Sequence, residues 1–140
     1  MAKLNRNISG ILFLSFAFIF IACSDDDSNP TASERVNYAG SNSMGKDVYF
    51  SIVGDKVTAF SIDFEITDAL GTFSGTKAQT NSKGFATVVD NSFSINLETN
   101  EVINGTISGN FITGSFNLLT GRTINNKPET VSGTFTVEKL

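Results

Sequence analysis

Asp63 and Glu65 are the side chains best placed for acid–base chemistry in this sequence. Residues two positions apart on an extended strand project from the same face, so the two carboxylates would stand side by side. Such a pair can cleave a glycosidic bond when one carboxyl keeps its proton and the other is ionised. The pair alternates with Phe60, Ile62, Phe64 and Ile66, which is also the pattern of a strand with one wet face and one buried face. Histidine is absent and cysteine occurs once, at Cys23. That composition excludes imidazole bases, Cys–His and Ser–His nucleophiles and most zinc sites. Neither a phosphate-cradling G-x-x-x-x-G-K-[ST] loop nor a dinucleotide fingerprint is present. Asp55, Asp68 and Asp90 fall where turns are expected, and aspartate favours turns for its own reasons. The expectation is a non-enzymatic domain with no catalytic residue, no metal ligand and no cofactor.

Binding is the better prospect, and Tyr38, Tyr49 and Arg122 are the candidate contacts. Tyr49 has the opposite parity to Val48, Phe50 and Ile52, which would turn its ring outward, and exposed aromatics suit glycan or protein contacts. Arg122 belongs to the stretch from Gly121 to Glu129, which reads as the longest loop and carries Asn125, Asn126, Lys127 and Pro128.

The elements that must carry these residues are strands. Beyond Glu34 no helical period is sustained, and short alternating runs of Val, Ile, Phe and Thr are punctuated by Gly, Asn and Asp. Strands are predicted near 35–40, 46–53, 57–67, 83–89, 92–97, 102–112, 115–120 and 130–138, with a weaker one near 71–77. Twelve glycines and two prolines suit a sheet that turns often. Parity requires an odd-numbered loop around Gly54-Asp55 if the apolar sets of its two strands are to share a face. The same reasoning pairs Phe93, Ile95 and Leu97 with Ile103 and Ile107 across the polar loop from Glu98, and Phe111 with Phe116 across a turn at Thr113-Gly114.

A loose repeat runs through the domain. Gly71-Thr72-Phe73-Ser74, Gly105-Thr106-Ile107-Ser108 and Gly133-Thr134-Phe135-Thr136 share the pattern Gly-Thr-apolar-hydroxyl, with Gly114-Ser115-Phe116-Asn117 a looser copy. A strand glycine leaves a gap that can receive a cross-strand aromatic or relieve a bend. These are packing positions in a curved sheet. The fold class is all-β: an antiparallel meander of about eight or nine strands, forming a small barrel or a two-sheet sandwich. The barrel would be lipocalin-like in outline only, since no signature motif of that family occurs.

The N-terminus has a different character. Lys3 and Arg6 precede an apolar run from Ile8 to Ala22, which is shorter than the ~20 residues a helix needs to cross a bilayer. A charged start, a short apolar centre and a small residue at the break are the marks of a secretory signal peptide. Phe20-Ile21-Ala22-Cys23 resembles the lipobox of bacterial lipoproteins, with Phe20 where that motif usually has Leu. Ser24-Asp25-Asp26-Asp27 resembles the acidic export signal of Bacteroidota surface lipoproteins. The resemblance covers about the first 30 residues. It implies cleavage before Cys23, lipidation of that cysteine, and a domain held at the outer membrane, on the cell surface or on the periplasmic face. It also implies a division into residues 1–22 (signal peptide), 23–34 (lipidated cysteine and acidic tether) and 35–140 (one β-domain).

Charge narrows the partners. Without Lys3 and Arg6 the chain carries 8 basic and 14 acidic side chains, a formal charge of −6. It has no basic stripe, so no nucleic-acid partner is expected, and electrostatic docking on anionic lipid is disfavoured. The remaining partners are the membrane, through Cys23, and an extracellular glycan or protein. A carrier holding an apolar molecule inside the barrel is the alternative role, and a hydrolase using Asp63 and Glu65 is a further one.

Overall fold

The computed structural model describes residues 33–97 and 100–140. The lipobox-like and acidic residues, Phe20 to Asp27, lie outside the described residues. The described chain forms β1 (Arg35–Asn42), β2 (Asp47–Val53), β3 (Lys56–Asp68), β4 (Gly71–Thr80), β5 (Ala86–Thr87), β6 (Ser92–Asn96), β7 (Val102–Ser108), β8 (Phe111–Ile124) and β9 (Lys127–Lys139). All pair antiparallel in one sheet of order β4-β3-β2-β1-β9-β8-β7-β6, with β5 added beside β3.

The first and last strands are neighbours in this order, so the break in the ring falls between β4 and β6. The result is a curled, open half-barrel. Curling brings distant strands together: the rings of Phe50 on β2 and Phe93 on β6 meet at 5.6 Å, and Phe50 also meets Phe135 of β9 at 5.1 Å. One face of every long strand feeds this interior. Val48, Phe50, Phe60, Ile62, Phe64, Ile95, Ile103, Ile112, Leu118 and Val137 are all buried there. Each fully buried side chain of this size stabilises the fold by about 1.5–3 kcal/mol relative to exposure.

Several sequence expectations are corrected by the register. The β2–β3 hairpin has a two-residue loop, with Val53 opposite Lys56, rather than an odd-numbered one. The parity conflict is resolved inside the strand, where the register shifts at Ser51/Ile52 and Thr58 is the extra residue. A bulge of this kind restores the apolar face one residue later. No turn occurs at Thr113-Gly114. Strand β8 runs straight through them, and the turn precedes it at Gly109-Asn110, where Gly109 has φ +57°. Phe111 therefore pairs with Ser108 and Glu138, and stays exposed while Phe116 is buried.

The predicted loop 121–129 is instead the distal part of a long hairpin. Only Asn125 and Asn126 turn, at φ +52° and +61°, and asparagine tolerates this left-handed region better than most residues. In the region 83–89 only Ala86 and Thr87 pair as a strand. The weak candidate near 71–77 is the ten-residue β4.

Candidate functional site

Strands β6 to β9 present Ser, Thr and Asn at nearly every outward position, because each alternates a core residue with a polar one. Register aligns these into cross-strand rows. Ser92, Thr106, Thr113 and Thr136 form one row, and Ser94, Asn104, Ser115 and Thr134 form the next. Adjacent strands lie about 4.8 Å apart, so each row is a regular ladder of donors and acceptors. Only one hydrogen bond joins side chains within the first row, between the hydroxyls of Ser92 and Thr106 at 3.3 Å. Among the described residues, Ser94, Asn104, Thr113 and Ser115 are exposed and have no side-chain partner.

The β5–β6 connection borders these rows and turns part of them into a groove of about 630 Å³. Thr87 and Val89 form one wall, the two rows line it, and the main chain of Phe93, Gly105 and Gly114, whose side-chain positions face inward, runs between the rows. Among the described residues, no charged side chain lines it. Hydroxyls and an amide beside the apolar Val89 wall can satisfy a ligand that is itself both hydroxylated and partly apolar.

The sequence candidates lie elsewhere. Tyr38 is on the inner face, 6% exposed and part of the core, so its ring faces packing rather than a ligand. Tyr49 is on the outer face, half-buried, and its hydroxyl donates to Asn37 Oδ1 at 2.8 Å. It borders a separate depression of about 540 Å³ with Ala39, Asp47 and Ser61. Arg122 projects into the interior end of the half-barrel. A register shift between Leu119 and Thr123, with Gly121 at φ +81°, re-aims it there. Its guanidinium pairs with Asp68 at 2.7 Å and Glu129 at 3.3 Å, and lies over the Phe73 ring at 5.1 Å. These contacts clasp the β3–β4 hairpin to the β8–β9 hairpin. Nearby, Lys77 pairs at 2.9 Å with the fully buried Glu101, whose other oxygen accepts from the Leu119 N–H at 2.8 Å.

Asp63 and Glu65 do share a face, as their spacing requires, but both are engaged in the sheet's own ladder. Asp63 accepts from the Thr76 hydroxyl at 2.7 Å. Glu65 accepts from Lys46 at 2.9 Å and Ser74 at 3.2 Å. The hydrogen bonds from Lys46 and Ser74, with the Lys46 charge, hold the Glu65 carboxyl below its ordinary range. A general acid requires the opposite shift. The Arg122 hydrogen bond, helped by the Leu70 N–H, likewise lowers Asp68. Among the described residues, no group of three His, Cys, Asp or Glu side chains is placed to hold a metal ion.

The residues lining the groove were not singled out in the sequence, although Thr106 and Ser115 belong to the Gly-Thr-apolar-hydroxyl repeat. Their signal is the outward parity of Ser, Thr and Asn in successive strands. It becomes a site only when the register stacks them. No protein-family model, no curated protein and no solved structure matches the chain.

Proposed function

We propose that this chain is a lipid-anchored lipoprotein of the outer membrane, exposed at the cell surface, whose β-domain binds neutral saccharides without transforming them. The anchor reading is supported by the lipobox-like Phe20-Ile21-Ala22-Cys23 and the acidic residues that follow. The binding reading is carried by one observation: the two stacked rows of hydroxyls, with the Asn104 amide, in an uncharged groove.

Chemistry favours a neutral ligand. An anion or cation would leave its charge without a counter-charge, and desolvating an unpaired charge is costly. A polyol exchanges its water contacts for hydroxyl and amide contacts on the rows and sets its C–H face against Val89. The non-enzymatic reading is supported by the pairing of Asp63 and Glu65 with Thr76, Ser74 and Lys46. The carrier role is less well supported, since aromatic and branched side chains together with the Arg122 and Lys77 ion pairs occupy the interior.

The test is a glycan array probed with the full chain in detergent. Retention on neutral oligosaccharides, lost in an Asn104→Ala/Ser115→Ala variant, is the expected result. Retention restricted to sulfated or carboxylated glycans would contradict the neutral-ligand reading.

A further inference from the structure

The half-barrel has two unlike ends. Because all neighbouring strands are antiparallel, one end gathers the start of β1, the β2–β3 turn, the β5–β6 turn, the β7–β8 turn and the end of β9. Three exposed apolar side chains lie along this rim: Val89 at 61%, Phe111 at 44% and Leu140 at 78%. Backbone hydrogen bonds make the arc continuous. Ile107 N–H donates to Asn91 O at 2.7 Å, Lys139 N–H to Asn110 O at 2.8 Å, and Leu140 N–H to Asn37 O at 2.9 Å. Among the described residues, the opposite end carries a single large exposed apolar residue, Leu70, on the β3–β4 turn.

The chain leaves the described domain at this same rim. Ser33 and Glu34 precede β1, and the Gly54 N–H of the β2–β3 turn points to Glu34 O at 3.5 Å. Nine residues separate Cys23 from Ser33, and nine residues span at most about 30 Å when fully extended. A lipid on Cys23 therefore keeps this end within reach of the bilayer.

We infer that the rim formed by Val89, Phe111 and Leu140 docks on the lipid surface, so that the anchored domain rests on the membrane by its apolar loop tips. This rests on the lipoprotein reading proposed above. Aromatic and aliphatic tips enter the headgroup boundary through burial of apolar area. The charges at this end do not favour an anionic surface: Arg35, Lys56, Lys83 and Lys139 are matched by Glu34, Asp55, Asp90 and Glu138. Docking should therefore occur on zwitterionic lipid and survive added salt. The saccharide groove shares Val89 with this rim, which places it beside the bilayer, within reach of membrane-borne sugars.

The experiment uses the full chain purified from membranes and reconstituted in phosphatidylcholine vesicles. Single variants Asn110→Cys on the rim and Ala69→Cys beside Leu70 each carry an environment-sensitive fluorophore, and some vesicles contain nitroxide-labelled lipid. The expected result is a blue shift and strong quenching at position 110, unchanged by salt, with neither at position 69. An added Phe111→Ser substitution should reduce the quenching. Flotation with the vesicles but equal, weak quenching at both positions overturns the docking and leaves the anchor intact. Failure to float overturns the anchor and the docking with it. A blue shift at position 110 that is already present in detergent and grows with protein concentration shows the rim covered by a second copy, which also overturns lipid docking.

Discussion

Phe93 on β6 and Gly105 on β7 stand directly opposite each other, and the Phe93 ring fills the space where a Gly105 side chain would begin. The arrangement recurs at Phe64 with Gly75, Phe116 with Gly133 and Phe135 with Gly114, each a direct cross-strand pair. Every pair faces inward, so the aromatic rings lie flat across the neighbouring strand. This lets a sheet with so many phenylalanines curl tightly around a narrow interior.

Gly105→Ala should accordingly destabilise the domain by about 1–3 kcal/mol through overpacking. In thermal denaturation each kcal/mol should lower Tm by roughly 4–8 °C for a domain of this size. Adding Phe93→Leu should recover part of the loss, since the shorter side chain vacates the contested space. Additive effects of the two substitutions in a double-mutant cycle would argue against the pairing.

Glu101 is fully buried, and Lys77 is its only cationic partner among the described residues. Lys77→Met would leave a carboxylate without its counter-charge, at a cost of about 3 kcal/mol, the low end for breaking a buried pair. The double variant Lys77→Met/Glu101→Gln should be more stable than the single one, because the charge is gone while an oxygen still accepts from Leu119. Urea titration of the two variants checks the order.

Acid should loosen the clasp between the two long hairpins. Asp68 and Glu65 both have carboxyls lowered in the folded state, by Arg122 and by Lys46 with Ser74. A carboxyl depressed on folding contributes its full stabilisation above its unfolded value, and that contribution is lost as pH falls through the folded one. Stability should be level at neutral pH and decline below about pH 4, where free carboxyls begin to protonate. Asp68→Asn should flatten that decline in denaturant midpoints measured from pH 7 to pH 3.

Cys23→Ala should release the chain from the membrane fraction, because the apolar run alone is too short to span a bilayer. Fractionation followed by immunoblotting reads this directly. Retention of the variant in the membrane pellet would contradict lipid anchoring.

Much of the fold was legible because period-two alternation survives in nearly every strand. The sets Val48/Phe50/Ile52 and Phe60/Ile62/Phe64 were enough to assign faces. The exact connections were not legible, because parity cannot tell an extra residue in a loop from one in a strand. The bulge at Thr58 is of this kind. Glycine at 114 looked like a turn but receives the Phe135 ring. The site was the least visible part: Ser94, Asn104 and Ser115 are ordinary polar residues in sequence, and only strand register makes them a row. Arg122 looked like a loop cation, and the bulge at Gly121 turns it into an interior clasp.

The most direct measurement is a titration of the isotopically labelled protein with a neutral oligosaccharide that the array retains, following backbone amide shifts. The expected result is a contiguous set of perturbations over residues 92–94, 104–106 and 113–115, abolished by Asn104→Ala/Ser115→Ala with little change in stability. Perturbations centred on Tyr49 and Asp47, or on the interior around Phe50 and Phe135, would contradict the assignment of the groove as the binding site.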